Sequence, residues 1–300
     1  MNVNLNVNDG LEDELVLELL RRQRPDLAGL ELRYVGRGWA NEMWRLGDAL
    51  AVRVPRTEDA PESLRREHRR LTPIAPLLPL PVPTPVFLGE PSDLFPQPWA
   101  IVNWVSGAPA DREEITEESS AETLASFLRA LHGMAVPGLL HEANACRLPR
   151  NAGVDFGDDM IENIGKDRVR ALEEIWQDAR RAPEWDGPPV CAHNDLHPAN
   201  VVVKDGELSG VIDFGEFGPG DPAVDLSAAW TLLPSGSAPR FLQLYGEVDA
   251  ATLRRAQGCA IRTGSFVLSM AVNGLRGLPG GKPGWLPAAR KVLERIAETC

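Results

Sequence analysis

Predicted strands crowd into the first third of this 300-residue chain, and helices occupy most of the remainder. Short apolar runs between glycine-containing turns predict strands at 30–35, 42–46 and 49–54. Apolar residues at helical spacing predict helices at 117–132, 158–181, 223–233, 251–273 and 287–298. A charged segment predicts a further helix in the first third, at 60–71. Strands and helices that occupy separate parts of a chain, instead of alternating along it, predict an α+β protein.

The length of the chain predicts two lobes, because 300 residues are too many to pack around one small hydrophobic core. We expect a strand-rich N-lobe at 1–104 and a larger, mainly helical C-lobe at 108–300. The predicted strand at 99–105 runs into a Ser-Gly-Ala-Pro sequence at 106–109, which predicts the join between the lobes. A hinge is therefore expected at about 101–107.

The charge of the chain limits its partners. The formal net charge is −12, and most of it falls in the C-lobe, where 107–300 carry −9. This charge repels nucleic acid and anionic lipid and favours cationic partners. No apolar run approaches the ~18 residues of a membrane span, and the N-terminus lacks the basic and apolar regions of a secretory signal. A cytoplasmic protein with reduced cysteines is the expectation.

The segment 191–225 concentrates the polar residues that indicate chemistry. Asp195 and Asn200 lie five residues apart on a predicted loop, and Asp213 follows the next predicted strand. Asn200 and Asp213 offer the hard oxygen ligands that Mg²⁺ prefers. Asp195 is then free to accept a proton from an attacking hydroxyl. This pattern indicates phosphoryl transfer to an alcohol.

Two histidines in the same segment leave a second interpretation open. His193 and His197 are four residues apart with an acid between them, and on a helix this spacing would favour zinc. An apolar strand precedes the pair and Pro198 follows it at once, so a loop is predicted instead. A loop context disfavours a zinc pair.

The sequence HNDLHPAN at 193–200, followed by IDFG at 212–215, resembles the aminoglycoside phosphotransferase family. The family pattern is HGDLHPGN followed by I-D-F/W, and the protein kinases are remote relatives. The resemblance spans roughly 30–285, and the chain departs from the pattern at Asn194 and Ala199, where the family has glycine. It implies a two-lobed protein-kinase-like fold with a small antiparallel-sheet N-lobe and a larger helical C-lobe.

The resemblance also implies roles for individual residues of the C-lobe. Asp195 is similar to the catalytic base, and Asn200 and Asp213 are similar to the Mg²⁺ ligands. His193 would hold the catalytic loop, and Asp225 would brace it from the following helix. An acid near a helix N-terminus is also explained by the helix dipole alone.

The N-lobe is expected to bind ATP or GTP. Gly36, Gly38 and Asn41 fall between two predicted strands and resemble the loop that approaches the phosphates. A lone Gly-x-Gly also fits an ordinary hairpin turn. The predicted strand at 99–105 resembles the segment that binds the nucleotide base, with Ile101, Val102, Asn103 and Trp104 along that edge. An ordinary core strand is the alternative there.

The phosphate-binding cation of the N-lobe must be an arginine, because no lysine precedes Lys166. Arg53 occupies the place of the kinase lysine, and Arg56 is a nearby rival. Glu67 resembles the helix glutamate that pairs with this cation, while Glu62 lies closer to the predicted helix start. A solvated helix face would also explain Glu67.

The acceptor is the least constrained part of the prediction. Four acids of the C-lobe would suit a cationic aminoglycoside, although acidic surfaces also serve solubility. They are Asp158, Asp159, Glu162 and Glu216.

The pattern as a whole predicts an ATP- and Mg²⁺-dependent O-phosphotransferase. The γ-phosphate would move to a hydroxyl of a small molecule, an aminoglycoside or another antibiotic, which makes antibiotic resistance the expected role. A metabolic kinase for a sugar or amino alcohol is the first alternative. A nucleotide-binding protein without catalysis is the second, and the complete set of Asp195, Asn200 and Asp213 argues against it.

Overall fold

A computed structural model describes residues 13–135 and 153–299 of the chain. These residues form two compact units. Within the described residues, the sheet unit consists of 13–76 and Val82–Val105, and the helical unit consists of Leu77–Pro81, 106–135 and 153–299. Across the described ranges, the helices are all too short or too polar to cross a membrane.

The described residues of the sheet unit form two α-helices and five strands. The elements are α1 Asp13–Gln23, β1 Leu32–Arg37, β2 Asn41–Leu46, β3 Leu50–Pro55, α2 Ala60–Leu71, β4 Pro85–Gly89 and β5 Trp99–Asn103. The strands form one antiparallel sheet in the order β1-β2-β3-β5-β4. Helix α1 precedes the strands, and helix α2 connects β3 to β4.

The core of the sheet unit forms where the apolar side of α1 meets the sheet. Val16, Leu19 and Leu20 recur at helical spacing and are fully buried with Trp44 and Trp99. Acidic residues begin α1 and arginines end it, which suits the helix dipole. This core supports the strands that carry the candidate nucleotide residues.

The close contact between β4 and β5 makes Gly89 a test of this core. Gly89 lies opposite Trp99 in the ladder, and a Cβ at Gly89 would clash with the buried indole ring. We expect Gly89→Ala to lower the free energy of unfolding by about 1–3 kcal/mol, the usual cost of overpacking. Urea unfolding measures it, and Gly29→Ala is the control because nothing lies within 4 Å of its added Cβ. Equal midpoints for both variants would contradict the prediction.

The described residues of the helical unit form most of the helices and two small sheets. The elements are β6 Ala108–Pro109, α3 Ser120–His132, α4 Asp158–Ile164, α5 Lys166–Arg181, β7 Val190–Ala192, β8 Val201–Lys204, β9 Glu207–Val211, β10 Gly218–Gly220, α6 Pro222–Leu226, α7 Ala228–Thr231, α8 Ala238–Tyr245, α9 Ala250–Leu275 and α10 Leu286–Ala297. Strand β10 pairs with β7, and β6, β8 and β9 form the other sheet in the order β6-β8-β9.

Helix α9 is the central helix of this unit and packs against α5, α6, α7 and α10. Asp249 caps it, because its carboxylate accepts hydrogen bonds from Ala251 N at 2.8 Å and Thr252 N at 2.9 Å. Gly264 lets α10 approach closely, since an added Cβ would come within 2.7 Å of Leu293 Cδ2.

The structure corrects several sequence predictions. The region 158–181 is two helices, because Gly165 between them has a φ of 87°. The region 223–233 is also two short helices, which meet at Ser227, whose hydroxyl donates to Val224 O. Prolines in or beside β4, β6 and β10 concealed these three strands from the sequence patterns.

Candidate active site

Residues 193–200 connect β7 to β8, end in a 3-10 turn at Pro198–Asn200 and are named the catalytic loop for the role that the sequence predicts. Asp195 and Asn200 meet directly, because the Asn200 side-chain nitrogen donates to both Asp195 O and Asp195 Oδ2 at 2.9 Å. This arrangement uses both amide hydrogens of Asn200 and leaves its side-chain oxygen available as a ligand. The spacing of five residues thus corresponds to a real contact.

His193 ties the loop to the segment that carries Asp213. Its ring is fully buried, its Nε2 lies 3.0 Å from Ile212 O, and its Nδ1 accepts from Asp195 N at 3.3 Å. The ring also packs edge-on against Phe214, with 4.7 Å between centroids. Burial lowers the pKa of His193, so a neutral imidazole with a proton on Nε2 fits these contacts.

Asp225 holds the start of the catalytic loop from α6. Its carboxylate is fully buried and accepts from His193 N at 2.7 Å and Asn194 N at 2.9 Å. Burial by itself raises the pKa of this carboxyl, but the hydrogen bond and charge of His132, together with the backbone hydrogen bond from His193, outweigh it. The pKa of Asp225 therefore lies below its ordinary value.

A backbone hydrogen bond connects the segment that carries Asp213 to Asn200. Ile212 N donates to Asn200 O at 2.9 Å, which joins the residue before Asp213 to the end of the catalytic loop. Asp213 adopts a left-handed conformation, with φ 63°, and its carboxylate accepts from Gly215 N at 3.4 Å. The side chain is exposed.

This donor set fits Mg²⁺ and not zinc. Asn200 and Asp213 provide two oxygen donors, and Mg²⁺ commonly completes its coordination with phosphates and water. Across residues 13–135 and 153–299, no three His, Cys, Asp or Glu residues are grouped to hold a metal by themselves. Both ring nitrogens of His193 already have partners, which excludes its use in a zinc pair with His197.

Electrostatics make Asp195 a stronger base than an ordinary carboxylate. Desolvation raises the pKa of Asp195 to about 7, the charges of Asp213 and Glu216 act in the same direction, and the hydrogen bond from Asn200 opposes them. Its side chain is still 45% exposed, so a substrate hydroxyl can reach it. A base with a pKa near the working pH accepts a proton efficiently.

His197 completes the loop as a neutral structural residue. Burial lowers the pKa of its imidazole to about 4, and its Nδ1 accepts from Ala199 N at 3.2 Å. The ring lies beside Trp285, with 5.6 Å between centroids. The hydrogen bond to Ala199 shapes the 3-10 turn that places Asn200.

The two candidate arginines of the sheet unit have different hydrogen-bond partners. Arg53 on β3 donates through Nη1 to Glu67 Oε1 on α2 at 2.6 Å, and both side chains are largely buried. Arg56 instead donates to Gly38 O and Trp39 O at 3.2 Å. Arg53 is thus the residue that meets Glu67, and Arg56 braces the turn between β1 and β2.

That turn holds the predicted glycine loop. Gly36 has a φ of 149° at a bulge in β1, and Gly38 N donates to Asn41 O at 2.8 Å to close the turn. The buried side-chain oxygen of Asn41 has no hydrogen-bond partner within the described part of the chain. A buried amide without a partner is a group that a ligand could satisfy.

The predicted base-binding residues fall into two sets. Ile101 and Val102 are buried in β5, which has β3 on one side and β4 on the other. Asn103 and Trp104 are at the end of this strand, where Asn103 is exposed and Trp104 is partly exposed. Contact with a base is therefore expected from Asn103 and Trp104 and not from the strand interior.

The four candidate acids for the acceptor also lie in two places. Glu216 is exposed beside the catalytic loop, since its carbonyl accepts from the Asn194 side chain at 3.1 Å. The others lie on α4, where Asp158 and Glu162 are exposed and Asp159 forms a bidentate pair with Arg276. The charge of Asp159 is thus already balanced within the unit.

Sequence reasoning did not identify two residues next to Asp225. His132 at the end of α3 places Nε2 3.0 Å from Asp225 Oδ2, and its Nδ1 lies 2.8 Å from the Tyr245 hydroxyl. The only sequence signal was a histidine at the C-terminal end of a predicted apolar helix, a position also favoured by the helix dipole.

The five-stranded unit, the Asp195–Asn200 contact and the adjoining Asp213 segment are the features that the resemblance to the phosphotransferases implies. The sequence profile described as the phosphotransferase enzyme family matches residues 31–259. Because this match covers most of the chain, the chain belongs to that family. The predicted family, the α+β kinase-like fold and the enzyme class are thereby confirmed.

Individual relatives agree with this assignment. An aminoglycoside 3'-phosphotransferase from Escherichia coli is 26% identical over 261 residues, which cover 78% of this chain and 93% of the relative. Viomycin phosphotransferase from Streptomyces vinaceus is 28% identical over 208 residues, covering 63% and 68%. The GDP complex of an aminoglycoside 2'-phosphotransferase has 18% identity, a TM-score of 0.66 and coverage of 96% and 99%, and shares the fold.

Proposed function

We propose that this enzyme transfers the γ-phosphate of ATP to a hydroxyl of an aminoglycoside antibiotic in a Mg²⁺-dependent reaction. The observation that carries the proposal is the Asp195–Asn200 contact beside Asp213. It presents one carboxylate with a raised pKa as a base and two further oxygen donors as metal ligands. These are the groups that phosphoryl transfer to an alcohol requires.

The chain's own residues divide the work of the reaction. Asp195 accepts the proton of the acceptor hydroxyl and orients its oxygen toward the phosphorus atom. Asn200 fixes the Asp195 carboxylate through its amide nitrogen, while its oxygen and the Asp213 carboxylate would hold Mg²⁺. Bound Mg²⁺ supplies positive charge that neutralises the phosphate oxygens. Preorganised groups of this kind lower the barrier without reorganising during the reaction.

The nucleotide assignment rests on the sheet unit. Arg53 is held by Glu67, which is the pairing expected of a cation for the α- and β-phosphates. The turn at Gly36 and Gly38 offers a backbone that can approach phosphates closely. We propose ATP as the donor and treat GTP as the alternative, because none of these contacts selects between adenine and guanine.

The acceptor assignment rests on charge and on the relatives. Exposed acids beside the catalytic loop and on α4 suit a polycationic acceptor, and relatives named for aminoglycosides and viomycin match the chain over most of their length. Both lines of support favour a cationic antibiotic as the acceptor. Of the two relatives, the aminoglycoside phosphotransferase matches the larger share of this chain.

An acceptor panel tests the proposal. Release of ADP would be measured with Mg²⁺ and ATP, then with GTP, in the presence of kanamycin, viomycin, a macrolide, a hexose or ethanolamine. We expect aminoglycoside-dependent release well above the acceptor-free rate, with the phosphorylated product identified by mass spectrometry. Activity with only the hexose or ethanolamine would support a metabolic kinase instead. Nucleotide binding without transfer to any acceptor would support a non-catalytic protein.

Arg53→Lys tests the proposed phosphate cation. Lysine keeps the charge but loses the planar fork and reaches less far, so its pairing with Glu67 and with phosphates must weaken. We expect KM for ATP to rise roughly three- to tenfold, which corresponds to about 0.7–1.4 kcal/mol, the net contribution of one ordinary hydrogen bond. The matched control is Arg33→Lys, an exposed position on β1 paired with Glu31. Unchanged ATP affinity and turnover in Arg53→Lys would contradict the assignment.

A further inference from the structure

A buried hydrogen-bonded chain leads from α8 to the catalytic loop. The Tyr245 hydroxyl contacts His132 Nδ1 at 2.8 Å, and His132 Nε2 contacts Asp225 Oδ2 at 3.0 Å. Asp225 in turn accepts from the backbone N–H groups of His193 and Asn194. The His132 side chain is only 5% exposed and that of Asp225 is fully buried, so water competes little for these contacts.

The contacts assign a direction to this chain. Burial raises the pKa of Tyr245 to about 12, and the charge of Asp225 adds to the effect, so the phenol keeps its proton at neutral pH. The pKa of Asp225 lies below its ordinary value, so its carboxylate can only accept, and His132 Nε2, 3.0 Å from Asp225 Oδ2, is the donor of that contact. Asp225 thus accepts hydrogen bonds from the His132 ring and from the backbone N–H groups of His193 and Asn194.

The backbone that Asp225 holds is in a costly conformation. Asn194 has a φ of 69°, in the left-handed region that residues with a Cβ disfavour, and asparagine is among those that tolerate it best. The Asn194 side chain adds a hydrogen bond to Glu216 O at 3.1 Å. Asp195 follows directly, so the left-handed turn at Asn194 sets the direction in which the base points.

We propose that His132 and Tyr245 are positioning residues for phosphoryl transfer, which fix the Asp225 carboxylate and thereby hold Asn194 in its left-handed conformation so that Asp195 is aimed at the acceptor. The proposal rests on the proposed function for the role of Asp195. Neither residue touches substrate, and each acts through Asp225. Misplacement of a catalytic group by about 1 Å can cost as much as ~100-fold in rate.

Three variants remove different contacts of the hydrogen-bonded series Tyr245–His132–Asp225. His132→Leu removes both polar contacts at a similar volume, His132→Gln keeps a donor for Asp225, and Tyr245→Phe removes only the hydroxyl. We expect kcat to fall about 10- to 100-fold in His132→Leu and less in the other two, with KM for ATP changed less than about twofold. The exchange of the His193 and Asn194 amides, followed by hydrogen–deuterium exchange, should accelerate in the same order.

The control is Arg129→Gln. Arg129 also lies on α3 and also reaches α8, where its Nη1 donates to Leu244 O at 3.4 Å, but no contact joins it to Asp225 within the described residues. We expect kcat and loop exchange to stay as in the wild type. The same changes in Arg129→Gln would show that general packing of α3 on α8 is responsible, and would overturn the proposal.

Asn194→Gly provides a second test, which distinguishes a positioning role of His132 from a general contribution of His132 to stability. Glycine adopts a positive φ without the penalty of a side chain, so the loop should depend less on Asp225. We expect His132→Leu to lower kcat and the amide protection of the catalytic loop by a smaller factor in the Asn194→Gly background than in the wild type. Equal losses in both backgrounds would overturn the link to Asn194.

The exchange measurement separates this proposal from the proposed function. If no acceptor is phosphorylated by the wild type, the function fails, but protection of the His193 and Asn194 amides can still be compared between variants. If His132→Leu does not fold, Tyr245→Phe remains, because it removes a single oxygen atom. Wild-type protection of the loop in a folded His132→Leu or Tyr245→Phe variant would overturn the positioning role.

Discussion

Asp195→Asn is expected to lower kcat by roughly 10²–10⁴-fold while the fold remains intact. The amide cannot accept the proton of the acceptor hydroxyl, yet it matches the carboxylate in shape and can still accept the hydrogen bond from Asn200. ATP binding should change little, because Asp195 is not among the proposed metal ligands. Initial rates of ADP release at saturating ATP and acceptor measure the effect.

Asp205→Asn is the matched control for this loss of one negative charge. Asp205 is exposed in the turn between β8 and β9, and its left-handed φ of 54° is one that asparagine adopts readily. We expect wild-type turnover in this variant. If Asp195→Asn kept even half of the wild-type kcat, Asp195 would not be the base.

Asp213→Asn is expected to remove most of the effect of Mg²⁺ on ATP binding. The variant replaces a charged oxygen ligand with a neutral one, which costs about 1.5–3 kcal/mol and therefore weakens Mg²⁺-dependent affinity about 10- to 100-fold. Asparagine tolerates the left-handed conformation of Asp213, with φ 63°, so the change isolates the charge. Calorimetric titrations of ATP with and without Mg²⁺ give both affinities.

Asp213→Ala should show the same loss together with lower stability, because alanine at a positive φ is strained by about 1–2 kcal/mol. Asp205→Asn again serves as the control and should keep the full enhancement by Mg²⁺. An Asp213→Asn protein whose ATP affinity still rises with Mg²⁺ as in the wild type would rule out Asp213 as a metal ligand.

Local features of this fold could be predicted because they depend on short sequence distances. Helix α2 begins and ends where its charged, amphipathic pattern predicts, and Asp195 and Asn200 are five residues apart on one loop. The 3-10 turn at Pro198–Asn200, which His197 caps, folds this short loop back so that Asn200 meets Asp195. Features that oppose local pattern were missed, such as the break at Gly165 and strand β4 in a proline-rich stretch.

Whether Arg53 or Arg56 pairs with Glu67 could not be predicted from the local sequence. Both arginines follow one another closely near the end of β3, and the sequence alone left them as rivals. Packing of α2 against the sheet unit placed Glu67 within 2.6 Å of Arg53, while the turn carbonyls captured Arg56. Which cation meets the buried glutamate depends on a contact between residues 14 positions apart.

The sequence by itself determined the family and the enzyme class of this protein, because the motif that resembles the phosphotransferases lies in one short segment, 193–215. Only the tertiary structure decided how that segment is held. His132, Asp225 and Tyr245 come from three helices, and His132 is 93 residues from Asp225 and 113 from Tyr245. No local pattern encodes such contacts, since they form only when the helices pack and remove water from the polar groups between them.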